Sequence, residues 1–226
     1  MKDGAQKKRS PKGAISDPPT APNGGHLKQE RSIETRERLI HAAIRLLREK
    51  GHSNFSTMAV AEYADVSRGA LQYHFKSRDE IFVAVRRKIA ESLDLDISVS
   101  HILALPLSER VARIIQHYWN TIGSVDYVAA LEIRLYERFN ATVHASLMAE
   151  MTRFSEQRNR DWVRIFADAD VPSDELVDLR RFMLDTLRGI ALRQIEEGRT
   201  AKVERQIAIL STTLIALLQA DIKNQS

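Results

Sequence analysis

The stretch FSTMAVAEYADVSRGALQYHFKSRDEIF, residues 55–82, contains three helix starts in close succession. Ser56, Ser67 and Ser77 each carry the short hydroxyl side chain that caps a helix by accepting a hydrogen bond from a backbone amide of the first turn. Ser77 and Glu80 also have the spacing of a capping box. The stretch therefore predicts two short helices and the start of a third, joined by tight turns.

The two short helices differ in the apolar surface they carry. The residues of the first that we expect to face the interior are Met58, Val60, Ala61 and Ala64. The second is about two turns long and has one aliphatic anchor, Leu71. Asp65 stands in the turn, where a short polar side chain tolerates left-handed backbone. Two helices joined by such a turn, the second exposing donors near its N-terminus, suit the major groove of DNA.

The run SRGALQYHFKSRDEIF, which follows a helix ending near Gly51, resembles the DNA-binding domain of the TetR family of bacterial transcriptional regulators. The resemblance covers residues 33–85 and departs from the family at Asp65, where Gly is usual, and at Gln72, where Tyr is common. It implies an all-α chain with an N-terminal three-helix helix-turn-helix domain and a C-terminal helical ligand-binding and dimerisation domain.

The predicted DNA-contacting residues are Ser67, Arg68, Gly69, Gln72, Tyr73, His74 and Arg78. Arg68 and Gln72 can present paired polar groups to base edges, and Gly69 permits a close approach to the groove. The other side chains suit phosphates, with Arg78 at a helix N-terminus that has free backbone amides. Packing of Tyr73 and helix capping by His74 are the alternative interpretations.

The charge is distributed unevenly along the 226 residues, whose net charge is +4. Residues 1–31 and 32–88 each sum to +4, whereas residues 89–226 sum to −4. We therefore expect the N-terminal part to approach a polyanion. The chain has no cysteine, no signal-peptide pattern and no apolar run of the ~20 residues that span a bilayer. These features predict a cytoplasmic protein with no membrane segment.

Three regions are predicted from composition and periodicity. Residues 1–31 hold four of the six prolines and predict a disordered basic tail, either a solvated extension or an arm that reaches DNA. Residues 32–88 predict the helix-turn-helix domain. Residues 89–226 predict a helical domain that binds an effector and dimerises, and the helix from Ser77 to about Ile97 links the two.

Five further helices are expected at about 107–122, 126–139, 143–167, 173–197 and 200–222. The last two have wide apolar faces, which predict a homodimer through a four-helix bundle, although the same faces could close the core of their own chain. Gly189 lies inside a helix, where it costs about 1 kcal/mol relative to Ala. A close helix crossing at Gly189 would explain it.

The C-terminal body contains large side chains that could line a ligand cavity. The candidates are His117, Trp119, Arg134, Tyr136, Met151, Phe154 and Phe182, in a wider set with Tyr118, Phe139, Met148, Trp162, Phe166 and Met183. Plain core packing is the alternative for each. Arg134 lies in the otherwise apolar run ALEIRLY, where it can bind an anionic ligand or pair with Glu132 or Glu137.

Catalytic motifs and paired histidines at metal-binding spacing are absent from the sequence, so we expect neither an enzyme nor a cofactor or metal site. The sequence predicts a homodimeric DNA-binding regulator, a repressor that an unknown small-molecule effector releases from its operator. The release is implied by the family resemblance. Two alternatives remain: a ligand-independent DNA-binding dimer, and a protein-interaction module whose helix-turn-helix does not touch DNA.

Overall fold

The computed structural model describes Met1 and residues 24–95, 99–197 and 201–219. Its N-terminal helices are α1 (Gly24–Lys50), α2 (Thr57–Tyr63), α3 (Arg68–His74) and α4 (Arg78–Glu91), with a 3₁₀ turn at His52–Asn54. The remaining helices are α5 (Val99–Leu103), α6 (Leu107–Ile122), α7 (Tyr127–Glu137), α8 (Ala141–Ile165), α9 (Ser173–Glu197) and α10 (Ala201–Gln219). The described residues contain no strand, and the predicted all-α fold with its N-terminal helix-turn-helix is confirmed.

The three serine caps are confirmed. The hydroxyl oxygens of Ser56, Ser67 and Ser77 accept hydrogen bonds at 3.1, 3.1 and 3.2 Å from the backbone amides three residues on. The capping box is one residue out of register, since the Glu80 carboxylate accepts from the Lys76 amide at 2.7 Å and not from Ser77. The caps place the starts of α2, α3 and α4 where the sequence predicted them.

The turn between α2 and α3 is held by α1. Asp65 has a φ of 51°, as its position in the turn predicted. The Arg38 guanidinium donates to the carbonyls of Ala64 and Asp65 at 2.5 and 3.0 Å. Because α1 satisfies these turn carbonyls, the angle between α2 and α3 is fixed by a third helix.

Several boundaries differ from the prediction. Helix α1 begins at Gly24, so residues 24–31, assigned to the tail, belong to it, while residues 2–23 lie outside the described residues. Helix α4 ends at Glu91, and Ile97 is likewise outside the described residues. The bounds of α6 and α9 match the prediction, and α5 was not predicted.

Met58, predicted to face the interior, is 63% exposed. It lies in the first turn of α2, whereas Val60 and Ala61, further along the helix, are buried. The prediction for Met58 was wrong because helical periodicity does not show where a neighbouring helix stops covering a face.

Helices α4 and α7 join the two halves of the chain. Both pack against α1 on one side and against α8 on the other, and they also contact each other. The Phe82 ring lies between the rings of Phe55 and Tyr136, at centroid distances of 4.8 and 5.0 Å. A movement of α4 or α7 in the C-terminal body therefore reaches the packing beneath the helix-turn-helix.

Candidate nucleic-acid interface and ligand cavity

Helix α3 is held by two residues and turns the rest outward. Leu71 and the residue that ends the helix, Phe75, are 3% and 2% exposed. The Arg68 and Gln72 side chains are exposed, and Tyr73 is 72% exposed. Ser67, Arg68, Gly69, Gln72 and Tyr73, five of the seven predicted contact residues, thus share one solvent-facing surface.

No contact or backbone angle in the described part of the chain requires a glycine at position 69. A Cβ atom built there would meet only the Ser67 hydroxyl oxygen, at 3.9 Å, and its backbone does not adopt a positive φ. Glycine inside a helix costs about 1 kcal/mol relative to alanine. The absence of a side chain at Gly69 therefore favours close approach by a molecule outside the chain.

His74 is half-buried at the end of α3. Burial, and then the charge of Arg36, lower the pKa of the His74 imidazole from its ordinary value. Its ring lies 5.0 Å from the Tyr73 ring in an edge-to-face arrangement. At neutral pH this histidine is uncharged, and it can offer a ring N–H but not a cationic charge to a phosphate.

The structure adds two residues to this surface that sequence reasoning missed. Thr57 and Met58, in the first turn of α2, line a shallow cleft of about 270 Å³ together with Arg68 and Gln72. The exposure of Met58 is explained by this position beside α3. The helix-turn-helix motif could have identified Thr57 and Met58 from the sequence, because the first helix of the motif lies across the N-terminus of the second.

Arg78 does not lie on this surface. Its guanidinium stacks over the rings of Phe55, Phe82 and Tyr136 at 5.8, 4.9 and 4.7 Å and donates to the His52 carbonyl. The prediction that this side chain contacts phosphate is therefore corrected. Three aromatic rings and a partly buried carbonyl stabilise the cation better than solvent does, so the side chain turns inward.

Two residues of α7 also join the helix-turn-helix to the rest of the chain. The Tyr136 hydroxyl donates to the Asp79 carboxylate at 3.0 Å, at the N-terminus of α4. The Glu132 carboxylate accepts from the His52 backbone amide at 2.8 Å and lies 2.7 Å from its ring nitrogen. Gly51 has a φ of 70°, and a Cβ atom built on it would lie only 3.2 Å from the Glu132 carboxylate. Tyr136 therefore belongs to the contact between the two halves and not to a ligand cavity.

A cavity of about 980 Å³ lies between α4, α6, α7, α8 and α9. Of the seven predicted pocket residues, Arg134 and Met151 line it, and Tyr118, Phe139 and Met148 of the wider set do so as well. Phe154 lines an adjacent cavity of about 430 Å³. Arg134 pairs with neither Glu132 nor Glu137, and it makes no ion pair with any residue that the structure describes.

Three predicted pocket residues lie away from the cavity. His117 and Trp119 flank Tyr118 on α6, and since successive helical residues point about 100° apart, only Tyr118 faces the cavity. The Trp119 ring instead covers Gly123, where a Cβ atom would be 2.5 Å from it. Phe182 is 46% exposed on the outside of α9.

The cationic lining of the cavity was also missed. Arg86, Arg180 and Arg188 line it, and the first two are 8% and 3% exposed. Among the cavity arginines, only Arg134 was proposed from the sequence. Arg86 does follow the apolar run of residues 81–85, but two further cationic residues come next, and Arg180 is followed by another arginine, so the sequence gives little sign that either is buried.

Helices α9 and α10 have apolar residues on two sides. One side closes the core of the chain through residues such as Leu187 and Leu214, both 0% exposed. The exposed apolar residues are Phe182, Leu192 and Ile195 on α9 and Ile209 on α10. Gly189 lies between Phe182 and Leu192, and a Cβ atom there would have no neighbour within 4 Å. The close crossing predicted at Gly189 is not made by any helix in the described part of the chain.

Comparisons with known proteins agree with this architecture. The family described as bacterial regulatory proteins, tetR family, matches residues 39–85. The HTH-type transcriptional regulator CymR of Pseudomonas putida is 22% identical over 176 residues, which are 78% of this chain and 87% of that protein. None of the described helices is long and apolar enough to cross a membrane.

Two solved structures illustrate the shared fold. A transcriptional regulator from Rhodococcus sp. Rha1 superposes with a TM-score of 0.63 at 20% identity, covering 80% of this chain and 95% of that one. The multidrug binding protein EbrR, complexed with imidazole, superposes with a TM-score of 0.52 at 24% identity, covering 86% and 97%.

Proposed function

This chain belongs to the TetR family of DNA-binding transcriptional regulators, and we propose that it is a homodimeric repressor that a small-molecule effector releases from its operator. The observation that carries the proposal is α3, a capped helix with a two-residue anchor and an otherwise exposed polar surface. A helix so poor in core contacts is best explained by a partner outside the chain.

The contact roles follow from side-chain chemistry. Arg68 and Gln72 read base edges in the major groove, and Gly69 lets the helix approach them. Ser67, Tyr73 and His74 contact phosphates and set the position of the helix. Arg78 acts indirectly, because it holds the start of α4 against Tyr136.

Dimerisation through α9 and α10 is supported by the apolar residues exposed on both helices and by the open space around Gly189. One two-turn helix reads too few base pairs for useful specificity, whereas a two-fold dimer reads two half-sites one helical turn apart. The four-helix bundle would fix the separation of the two α3 helices.

Release of DNA would pass through α4 and α7. Each helix lines the cavity, through Arg86 on α4 and Arg134 on α7. The two helices also contact each other directly, through the hydrogen bond between Asp79 in the first turn of α4 and Tyr136 in the last turn of α7. A ligand that shifts these helices changes the spacing of the two α3 helices, and operator affinity falls by the coupling free energy. The relative EbrR is a multidrug binding protein by name, which supports a small-molecule ligand here.

Fluorescence anisotropy with DNA from upstream of the chain's own gene tests the proposal. We expect binding that is tighter than to random DNA of equal length, with the logarithm of the binding constant falling linearly with the logarithm of salt concentration. Equal and salt-insensitive binding to both DNAs would favour a protein-interaction module instead.

The ligand-independent alternative is tested by pairing two measurements on the same small molecule. A true effector must raise the thermal stability of the protein and lower operator affinity, since the coupling is reciprocal. A compound that stabilises the protein without any change in operator affinity would favour a body that only dimerises.

A further inference from the structure

The main cavity has many more cationic than anionic side chains. Its lining includes one acidic residue, Glu137, and six arginines: Arg86, Arg134, Arg138, Arg158, Arg180 and Arg188. Concentrating guanidinium groups in this way is unfavourable without an anion, because the like charges repel one another and three of them, Arg86, Arg158 and Arg180, are also buried.

Some of these charges are balanced within the chain. Arg158 donates to the Asp94 carboxylate at 2.5 Å, and Arg188 donates to Asp185 at 2.8 Å. Arg86 is within 4.0 Å of Glu137. The three other cavity arginines, Arg134, Arg138 and Arg180, form no ion pair with any residue in the described part of the chain.

Buried donors are also left over. The Nε atoms of Arg86, Arg180 and Arg188 are buried without a hydrogen-bond partner. Arg180 donates one hydrogen bond, to the neutral side-chain oxygen of Asn159 at 2.9 Å. Buried donors normally find an acceptor, and these three atoms belong to residues that line the cavity, so they are available to an acceptor bound there.

Three of the arginines act on one another. Burial lowers the pKa of the Arg86 guanidinium most, and the charge of Arg134 lowers it further, while Glu137 opposes both. The charge of Arg188 lowers the same pKa by a smaller amount. Arg86, Arg134 and Arg188 all line the cavity, and we call them the arginine cluster; an anion bound among them would offset their mutual repulsion.

The wall of the cavity is also apolar over much of its surface. The aliphatic and methionine side chains lining it are Ile89, Leu93, Leu147, Met148, Met151 and Leu184. The volume of about 980 Å³ is at the upper end of the range for small-molecule sites. The cavity therefore has room for an apolar skeleton beside a charged group. A free inorganic anion would leave that apolar space empty.

We propose that the ligand of this cavity is an organic carboxylate with an apolar skeleton, whose carboxylate the arginine cluster binds. The planar guanidinium fork matches a carboxylate in a bidentate arrangement. Because Glu137 also lines the cavity, a carboxylate with one negative charge fits the site better than a phosphate dianion does. This inference rests on the proposed function, since it names the chemical class of the effector.

Matched probes on the full-length protein test the proposal by thermal denaturation. The probes are decanoate and 2-naphthoate, each compared with its primary amide and with the amine of the same skeleton, and inorganic phosphate alone. We expect at least one carboxylate to raise the melting temperature by about 5 °C or more at a hundredfold excess over its dissociation constant. The amides, the amines and phosphate should shift it by less than about a fifth of that amount.

Two variants locate the effect. Arg134→Gln removes an exposed, unpaired member of the arginine cluster and should weaken carboxylate binding about tenfold or more. Arg164→Gln is the matched control, because Arg164 is exposed on α8 and does not line the cavity. A full carboxylate response in Arg134→Gln would overturn the proposal.

Three other results would overturn it too. The first is equal stabilisation by a carboxylate and its amide, and the second is stronger stabilisation by the amine. The third is that no carboxylate stabilises the protein at about 10 mM, a concentration at which even millimolar binding is detected. Binding of promoter DNA in the absence of any probe is measured in parallel. DNA binding without a carboxylate response rejects this inference alone, whereas a carboxylate response without DNA binding rejects the proposed function.

Discussion

Arg68 and Gln72 point into solvent from neighbouring turns of α3, without a side-chain hydrogen bond to any described residue. If they read base edges, each should contribute to discrimination between operator and random DNA. We expect Arg68→Ala and Gln72→Ala each to cost about 1–3 kcal/mol in operator binding with little effect on random DNA. Anisotropy titrations on both DNAs measure this.

Arg45→Ala serves as the control for these two variants, because Arg45 is exposed on α1 and stacks on Tyr63, away from α3. It should leave discrimination unchanged. Equal losses on operator and random DNA for Arg68→Ala and Gln72→Ala would mean that the two side chains contact only the backbone.

Arg78 is expected to act on stability. Its guanidinium lies over three rings and donates to the His52 carbonyl, so Arg78→Ala removes a cation–π contact and one of the two hydrogen bonds that this carbonyl accepts. We expect a loss of about 2 kcal/mol, which lowers the melting temperature by about 4–8 °C. Calorimetry measures the loss, with Lys76→Ala as an exposed control.

An unchanged melting temperature in Arg78→Ala, combined with weaker binding to every DNA, would return this residue to the phosphate contact that its sequence position suggests. The two outcomes are separable because stability is measured without DNA.

At the scale of helices, α6 is fastened to the end of α8 by one arginine. The buried Arg110 guanidinium donates to both carboxylate oxygens of Asp168 at 2.7 Å and to the Ile165 carbonyl at 2.6 Å. The hydrogen bond from Arg110 holds the pKa of the Asp168 carboxyl below its usual value. The ion pair therefore stabilises the fold above the unfolded pKa of about 3.9 and loses that contribution as the pH falls through the lower folded pKa.

Asp168→Asn should consequently destabilise the protein at pH 7, by about 1 kcal/mol because water screens the exposed carboxylate. The difference from the parent protein should shrink as the pH falls below the folded pKa of Asp168. Thermal denaturation over a pH series measures it, and Asp170→Asn is the control, because Asp170 is exposed and pairs with none of the described residues. A difference that grows toward acid pH would contradict the assignment.

At the scale of the whole molecule, the proposed dimer would set the distance between the two α3 helices. A Cβ atom at Gly189 would have none of the described residues within 4 Å, and a leucine side chain there would obstruct a second chain that crosses close to α9. We expect Gly189→Leu to remain folded, since it removes a helical glycine, and to become monomeric. Operator binding should weaken more than tenfold, because one half-site is then bound at a time.

Sedimentation equilibrium and operator titration check this prediction, with Gly189→Ala as the graded variant that should keep most of the dimer. A dimer that persists in Gly189→Leu would move the interface away from this part of α9. Loss of helical content would instead show that the glycine is needed inside the chain.

The sequence by itself determined the features that depend on neighbours in the chain. Serine caps, the left-handed turn at Asp65 and the bounds of α6 and α9 were predictable because caps and helical periodicity act over one or two turns. The helix-turn-helix and its resemblance to the TetR family followed from the same local pattern.

Only the tertiary structure decided which way the polar side chains turn. Arg78 looks like a phosphate ligand at a helix N-terminus until Tyr136, 58 residues away, supplies the third ring of its site. The arginine cluster likewise comes from three helices, and periodicity along any one of them gives no sign that the others converge. The direction of a long cationic side chain depends on the charges and rings that distant segments place around it, and that arrangement exists only in the folded chain.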